Sequence, residues 1–375
     1  MSRTTNVFTV GVEEEFQIIN PQTYALDAGA EHILPLVRKE LGAGVQYELI
    51  LSQIEVATPV CRTLAEVQAA LAHQRHVLIA AAEQAGRGIA AAGTHPFSPW
   101  YEQQITPKER YQALVHDFRR LIKEQIIFGC HVHVGVSDGE IALEVMNRAR
   151  LWLAPLLALS ANSPFLDGVD TKYASFRTGL WWTSPLSGPP PFFSSRNDHD
   201  MFIQALVESK SVEDATRIYW DIRLPARYKT VEFRVMDVCL TVDEALMLAG
   251  LIRALVRTCC EEAQRNVPVA HVRAELLRVA NWRAARYGLE EDLVDVLAGR
   301  TVPAHEFIER FLAFLRPALE AEGDWECISN LVARTLHIGN GAMRQRAIFQ
   351  QAGSIQDVVQ FIINETARGS QAGAA

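Results

Sequence analysis

Short runs in which apolar and polar residues alternate recur along the chain and predict strands. Five such runs carry charged or imidazole side chains at alternate positions: residues 8–20, 46–56, 129–135, 218–224 and 230–237. Successive side chains of a strand point to opposite faces, so each run would collect its polar residues on one face. A sixth, short strand is predicted over 89–93. The pattern therefore predicts a sheet with one apolar face and one polar face.

Segments with helical spacing lie between these strands and follow them. We expect helices over 30–41, 63–84, 107–124 and 141–159, and then over about 244–264, 269–286, 304–319, 328–349 and 355–366. Thr63 is a predicted N-cap, and Glu66 three residues later would complete a capping box. No internal repeat or low-complexity linker is visible. We therefore expect residues 1–375 to form a single catalytic domain whose C-terminal portion, from about 243, is helical.

Residues 162–200 differ from the rest because prolines, serines and glycines interrupt every periodic pattern. This stretch carries Lys172, Arg177, Trp181 and Trp182. Long loops in compact domains are often lids or binding loops. The alternative is a surface excursion that its tryptophans hold in place, and the sequence leaves both open.

Composition narrows the class of protein. Apolar residues make up 49% of the chain, charged residues 21%, and the net charge is −8. Without a basic cluster, nucleic acid is not an expected partner. The six cysteines form no CxxC motif, and the first ten residues lack the apolar core of a signal peptide. No stretch is long and apolar enough to span a membrane. We therefore expect a soluble cytoplasmic protein.

The polar faces of the predicted strands suggest a metal and phosphate site. The residues collected there are Glu13 and Glu15, Glu55, His131 and His133, Asp221 and Arg223, and Glu232 and Arg234. So many carboxylates would repel one another unless cations were bound. Oxygen-rich ligands with an imidazole suit Mg²⁺ or Mn²⁺ better than Zn²⁺. Metal ions beside arginines match what nucleotide phosphates require. A polar sheet face that is merely solvated is the simpler alternative.

Common nucleotide-binding and metal-binding motifs are absent from the sequence. The sequence contains no GxxxxGK[ST] motif, no GxGxxG after a strand, and no HExxH motif. Glu14 interrupts the apolar face of the first strand, and the sequence gives it no role beyond a strand-end or a paired carboxylate. Cys130 falls on the apolar face by strand parity, so we interpret it as a packing residue. ATP phosphates, if bound, would have to be held by metals and arginines.

Seven short motifs follow one another along the chain. They are Gly11-Val12-Glu13-Glu14-Glu15-Phe16, Gln53-Ile54-Glu55-Val56-Ala57-Thr58, Gly93-Thr94-His95-Pro96-Phe97, His131-Val132-His133-Val134-Gly135, Asp170-Thr171 with Ala174-Ser175 and Arg177, Val231-Glu232-Phe233-Arg234-Val235-Met236-Asp237, and Arg286-Tyr287-Gly288-Leu289-Glu290. In this order they resemble the type 2 glutamate–cysteine ligase family of ATP-dependent carboxylate–amine ligases, and the resemblance runs from about residue 8 to beyond 360. Each motif alone is weak, but seven in this order are specific.

The resemblance implies an α+β fold of the glutamine-synthetase-like type, a curved antiparallel sheet that forms a funnel and is covered by helices. It also implies roles for individual residues. Metal ligands would be Glu13, Glu15, Glu55, His131 and Glu232. His133 and Arg234 would be catalytic residues near the transferred phosphate, and Arg177 and Arg223 would bind substrate carboxylate or phosphate. A homodimer is a further family-level expectation, which light scattering would test.

The implied reaction uses ATP with Mg²⁺ or Mn²⁺ to convert the γ-carboxylate of an amino acid such as glutamate into an acyl phosphate. An amine, with cysteine the first candidate, then displaces phosphate. The residues do not identify the amine. Two other functions stay open: a protein that binds ATP and an amino acid without turnover, and a metal-dependent hydrolase that activates water with its histidines and carboxylates.

Overall fold

A computed structural model describes residues 8–370, and its largest element is a seven-stranded sheet. With strands numbered along the chain, this sheet contains β1 (Val10–Ile19), β2 (Val45–Tyr47), β3 (Gln53–Ala57), β4 (Gly88–Ala90), β5 (Gly129–Gly135), β10 (Ile222–Arg223) and β11 (Thr230–Asp237). The strand order is β10-β11-β5-β1-β3-β2, and β4 pairs with the second half of β1. Every pairing in this sheet is antiparallel.

The remaining strands form three small two-stranded sheets. They are β6 (Phe165–Leu166) with β7 (Val169–Asp170), β8 (Ser187–Gly188) with β9 (Tyr219–Trp220), and β12 (Asp292–Asp295) with β13 (Arg300–Pro303). The hairpin formed by β12 and β13 is absent from the sequence prediction, which was wrong in expecting only helices after residue 243. Two of these pairs lie within or beside the stretch predicted as a loop.

Fourteen helices are present within residues 8–370. They are α1 (Ala30–Leu41), α2 (Leu64–Gln84), α3 (Glu109–Phe118), α4 (Arg120–Glu124), α5 (Gly139–Ala149), α6 (Leu153–Ser160), α7 (Phe176–Trp181), α8 (Arg196–Glu208), α9 (Val242–Gln264), α10 (Ala274–Tyr287), α11 (Ala304–Glu322), α12 (Trp325–Ile338), α13 (Gly341–Ala352) and α14 (Ile355–Ala367). In the part of the chain that the structure describes, no helix has the length and apolar character needed to cross a membrane.

The apolar face of the sheet forms the main core, as its alternation predicts. Val12, Val132 and Phe233 from three adjacent strands are fully buried together with residues of α5, α6 and α9. Cys130 is buried in the same core, which agrees with its predicted packing role. Burial of this apolar face orients the sheet, since a strand that hides one set of alternate side chains must present the other set opposite.

Several predicted elements are divided in the structure. The predicted helix over 107–124 breaks at Arg119, whose backbone is left-handed (φ 54°), and the one over 328–349 breaks at Gly339 (φ 85°). The helix over 141–159 contains a 3₁₀ turn at Arg150–Trp152. The single strand over 46–56 is instead two antiparallel strands, β2 and β3, joined by a reversal at 48–52. At each break the backbone leaves regular geometry although the periodic sequence pattern continues.

Caps explain where two of the helices begin. The Thr63 hydroxyl accepts a hydrogen bond from the Glu66 backbone N–H, so Thr63 is the N-cap of α2 as predicted. The Glu66 carboxylate accepts instead from the backbone N–H of Arg62, so the predicted capping box is incomplete. A full capping box occurs at Thr241 and Glu244, at the start of α9.

Candidate active site

The register of the sheet places polar residues from five strands directly opposite one another. The opposed pairs are Glu15–Glu55, Glu13–His131, His133–Glu232 and Glu232–Arg223. They form one row across β3, β1, β5, β11 and β10. The row runs along the face that the core leaves free, which is why residues more than 200 positions apart meet.

A cavity of about 310 Å³ lies over this row. All nine residues predicted from the sequence as site residues line it: Glu13, Glu15, Glu55, His131, His133, Arg177, Arg223, Glu232 and Arg234. Trp181, from the predicted loop, lines the same cavity. The geometry therefore brings together the predicted carboxylates, imidazoles and guanidiniums in one concave site.

His131 is shared by two groups of side chains with the spacing of metal ligands. One group is Glu13, His131 and Glu232, and the other is Glu15, Glu55 and His131; the ligand atoms of each group lie within 4.8 Å of one another. The His131 Nε2 atom is buried and has no hydrogen-bond partner among residues 8–370. An unpaired buried nitrogen among carboxylates fits a divalent cation such as Mg²⁺ or Mn²⁺.

Glu13 joins the two histidines of the HxH motif. Its carboxylate oxygens lie 3.1 Å from His131 Nδ1 and 3.3 Å from His133 Nε2. Burial opposes the charge of Glu13, but these contacts with His131 and His133 outweigh it and hold the pKa of Glu13 well below its usual value. Burial, with the charge of Arg234, lowers the pKa of His131 to about 4, so its imidazole is neutral near pH 7. A neutral imidazole is the form that binds metal.

The pKa values of Glu15 and Glu55 are raised, whereas that of Glu13 is lowered. Burial, reinforced by the negative charge of Glu48, raises the pKa of Glu15 to about 7. The same causes raise the pKa of Glu55 well above its usual range. The Glu15 carboxylate is held in place by the backbone N–H of Gly129 at 2.6 Å and by Gln53 Nε2 at 3.2 Å. Arg177 and Arg234 favour the charge of Glu15, and Arg234 favours that of Glu55, but burial and the neighbouring carboxylates outweigh them.

Glu232 is paired with two arginines. It accepts hydrogen bonds from Arg223 Nε at 2.6 Å and Nη2 at 3.1 Å, and it also contacts Arg234 Nη1. Burial would raise the pKa of Glu232, but the two guanidiniums outweigh it and keep the pKa below its usual value. His133 completes this side of the cavity, with Nε2 4.0 Å from Glu232 and Nδ1 3.2 Å from the Thr230 hydroxyl.

Arg177 reaches the cavity from α7, and Asp237 of β11 anchors the start of this helix. Asp237 accepts hydrogen bonds from the Ser163 and Ser175 hydroxyls, each at 2.7 Å. Ser175 is also the N-cap of α7. Arg177 Nη2 donates to the Arg234 carbonyl at 3.3 Å. The stretch predicted as a loop therefore contributes a buried wall of the site, which favours its interpretation as a binding segment over a surface excursion.

Several cavity residues escaped the sequence prediction, and one residue that it placed on the polar face lies elsewhere. Glu48 and Arg110 line the cavity. If residues 46–56 formed one continuous strand, Glu48 would lie on the same apolar face as Ile50. Because the reversal at 48–52 was not predicted, Glu48 was not recognised as a site residue. Asp221 was expected on the same strand face as Arg223. It lies instead between two separate strands, because β9 ends at Trp220 and β10 begins at Ile222.

Asp221 is fully buried outside the cavity and is part of the scaffold. Its two carboxylate oxygens accept from Trp182 Nε1 and Asn281 Nδ2, each at 3.2 Å. Burial raises the pKa of Asp221 to about 6. The expectation that it joins the polar face is therefore wrong, because strand parity does not continue through the break.

Solved structures with similar folds include two ligases. A glutamate–cysteine ligase from Francisella tularensis, in complex with AMP, matches with a TM-score of 0.72 and 13% identity over 98% of this chain and 89% of that one. A bifunctional glutathione synthetase from Pasteurella multocida matches with a TM-score of 0.69 and 17% identity over 96% of this chain, which spans about half (52%) of that protein. These likenesses confirm the predicted glutamine-synthetase-like fold of an antiparallel sheet covered by helices.

Sequence relatives extend over nearly the whole chain. A protein of Rhodopirellula baltica named "Putative glutamate–cysteine ligase 2" is 40% identical over 363 residues, which cover 96% of each chain. One of the same name from Roseiflexus castenholzii is 37% identical over 96% of this chain and 95% of its own length. The model of glutamate–cysteine ligase family 2 matches residues 9–361. The chain therefore belongs to this family, which confirms the resemblance and the predicted enzyme class, an ATP-dependent ligase that forms amide bonds.

Proposed function

We propose that the cavity joins the carboxylate of an amino acid, with glutamate the first candidate, to an amine, with cysteine the first candidate, through an acyl phosphate. The observation that carries the proposal is the row of opposed carboxylates, histidines and arginines across five strands. The names of the relatives and of the Francisella protein support these substrates. The AMP bound to the Francisella protein supports a nucleotide site.

A divalent cation, Mg²⁺ or Mn²⁺, would be held at the two groups that share His131. Carboxylate oxygens and a neutral imidazole are suitable ligands, and the unpaired His131 nitrogen favours this assignment. When bound, the ion supplies positive charge that offsets the phosphates of ATP and the acids around it. Glu13, Glu15, Glu55 and Glu232 would hold the ion, and contacts to neighbouring groups already fix the carboxylates of Glu13, Glu15 and Glu232.

The arginines supply the remaining positive charge. Arg234, beside His133, would stabilise the γ-phosphoryl group as it moves from ATP to the substrate carboxylate. Arg177 and Arg223 would hold the substrate carboxylate or the other phosphates. The amine nitrogen then attacks the acyl carbon, phosphate leaves, and the nitrogen loses a proton. The products are the amide, ADP and inorganic phosphate, and no protein side chain forms a covalent bond.

Release of ADP from Mg²⁺-ATP tests this proposal. The protein is incubated with glutamate alone, with glutamate and cysteine, and with glutamate and a panel of other amines. ADP that requires both a carboxylate and an amine would support a ligase and would identify its acceptor. ADP released without either substrate would favour a hydrolase. ATP binding without ADP release across the panel would favour a binding protein without turnover.

A further inference from the structure

Trp181 contacts two arginines of the cavity at once. As the last residue of α7, it packs its indole against the guanidinium carbon of Arg177 at 5.7 Å and that of Arg234 at 5.3 Å from the ring centroid. Tyr219 holds the indole edge-on, with ring centroids 5.3 Å apart. The face of an aromatic ring attracts a cation, so this one ring stabilises two guanidiniums that would otherwise repel each other.

Three N–H donors in this cluster lack a partner. Trp181 Nε1, Arg177 Nε and Arg234 Nε are buried and make no hydrogen bond to any residue within 8–370. A buried donor without an acceptor is destabilising, and folded proteins leave few of them. All three residues line the cavity. Arg234 Nη1 contacts Glu232 and Arg177 Nη2 donates to the Arg234 carbonyl, but the three donors named above have no acceptor among residues 8–370. An oxyanion between the two guanidiniums would provide one.

We propose that Trp181 is the positioning residue of an oxyanion site, where its ring aligns Arg177 and Arg234 on one anion and its N–H donates to an oxygen of that anion. The ligand class is a carboxylate or a phosphate, the two anions that the proposed reaction brings into the cavity. The inference rests on that proposed function and adds the residue that makes two arginines act together. Asp237, which anchors α7, fixes the position of the indole through Ser175.

The neighbouring Trp182 provides a matched comparison. Its ring also packs against an arginine, with the guanidinium carbon of Arg278 at 5.2 Å. Its indole N–H, however, donates to Asp221 at 3.2 Å, and its side chain is not part of the cavity wall. The two adjacent tryptophans thus both pack against arginine. Within residues 8–370, only the indole N–H of Trp182 has a hydrogen-bond partner.

The test compares Trp181→Phe, Trp181→Leu and Trp182→Phe with the wild-type protein. Isothermal titration in Mg²⁺ buffer measures the affinity for L-glutamate and, separately, for inorganic phosphate. Loss of a hydrogen bond to a charged group should weaken binding of one of these anions about tenfold or more in Trp181→Phe. Trp181→Leu, which also loses the aromatic face, should bind still more weakly. Trp182→Phe should bind as the wild type does, and melting temperatures control for folding.

Three results would overturn the inference, two of them in the variants and one in the wild-type protein. One is equal anion affinity in Trp181→Phe and Trp182→Phe, and the other is a lower melting temperature of the Trp181 variants with unchanged binding. Failure of the wild-type protein to bind either anion would overturn it as well. Because the readout is binding, it is separate from turnover: the predicted affinity pattern without ADP release would retain the oxyanion site and reject the ligase proposal.

Discussion

Glu13 and Glu15 lie on the same face of the same strand, yet their surroundings affect their charge in opposite ways. Glu13 contacts two imidazoles, which hold its pKa down despite burial. Glu15 faces other carboxylates, and burial together with the charge of Glu48 raises its pKa to about 7. Both residues are glutamates with the same strand parity. The difference between their pKa values therefore comes only from their neighbours in the folded protein. A cation bound at this row would satisfy both acids.

The proposed metal ligands can be tested by removing charge while keeping side-chain shape. In Glu13→Gln and Glu232→Gln, ADP release should fall to background because the ligand charge is lost, while circular dichroism shows both variants still folded. Their melting temperatures should be lower than that of the wild type, because the surrounding imidazoles and guanidiniums favour the charged carboxylates. Glu40→Gln, on the exposed surface of α1, is the matched control and should retain activity. ADP production at wild-type rates in both cavity variants would remove these residues from the metal site.

Arg234 is expected to require its planar guanidinium. In Arg234→Lys the charge remains, but an ammonium cannot reproduce a bidentate contact with phosphate oxygens. Steady-state ADP release should fall by about 100-fold or more, the scale on which removal of an oriented donor to developing charge lowers kcat. A rate near that of the wild type would place Arg234 outside the reacting centre.

His95 should make the stability of the protein depend on pH. Its Nδ1 accepts from the backbone N–H groups of Phe97 and Ser98, and its Nε2 contacts the Tyr24 carbonyl at 3.0 Å. Burial lowers the pKa of His95 to about 3. Below pH 6.5 the unfolded chain therefore takes up a proton that the folded protein excludes, and stability is lost as pH falls from 6.5 towards 3.

At pH 5 this loss amounts to about 2 kcal/mol of unfolding free energy. The His95→Asn variant retains an acceptor near the Nδ1 position but cannot titrate in this range. Its unfolding midpoint should be lower than that of the wild type at pH 7 and should change less between pH 7 and pH 5. Urea unfolding at both pH values measures the difference. Equal pH dependence in the two proteins would contradict the assignment.

At the scale of elements, the sequence correctly predicts the features of the sheet that follow from strand parity and register. The alternation in β1, β5 and β11 identifies the polar face, and antiparallel pairing then aligns its residues. The reversal at 48–52 and the break at Asp221 were missed, because each depends on tertiary contacts rather than on period. Helix α8 was also missed, although Ser195 followed by Asp198 is an N-cap signature. Side-chain pairing, such as Trp181 with two arginines, has no sequence signal.

The start of β5 depends on a residue without a side chain. A Cβ atom at Gly129 would lie 2.4 Å from Arg177 Nη2 and 3.2 Å from His131 Nε2. Gly129→Ala should therefore displace Arg177 from the cavity and lower kcat/KM at least tenfold, an effect of more than about 1.4 kcal/mol on transition-state binding. The measurement is ADP release at varied substrate concentrations.

Gly11→Ala is the control for this change. Gly11 lies on the polar face of neighbouring β1, but a Cβ there would meet only His133 Cβ at 3.9 Å, an ordinary contact distance. Its activity should stay within about twofold of the wild type, since no functional group has to move. Equal losses in Gly11→Ala and Gly129→Ala would mean that the sheet tolerates no added side chain, rather than that Arg177 needs the space.

At the scale of the whole molecule, a buried ion pair connects β1 to α2, and its arginine also contacts the backbone before α9 and at the end of α14. Arg75 of α2 donates to both carboxylate oxygens of Glu14, with Nε at 3.1 Å from one and Nη2 at 2.5 Å from the other. It also donates to the carbonyls of Leu240 and Cys239, at 2.8 and 2.9 Å. Glu14 is thus the paired carboxylate that its interruption of the apolar face suggested.

Glu14 lies between Glu13 and Glu15, so the pair fixes the strand that presents both to the cavity. Arg75→Met leaves a buried carboxylate without a partner and should lower the unfolding free energy by about 3–5 kcal/mol. Glu14→Met with Arg75→Met removes that orphan charge and should recover part of the loss, but the carbonyls that Arg75 satisfied stay unpaired. Denaturant unfolding of both single variants and the double variant gives the coupling free energy. If the losses simply add, Arg75 stabilises the fold through the carbonyls alone, and β1 is held by its sheet neighbours.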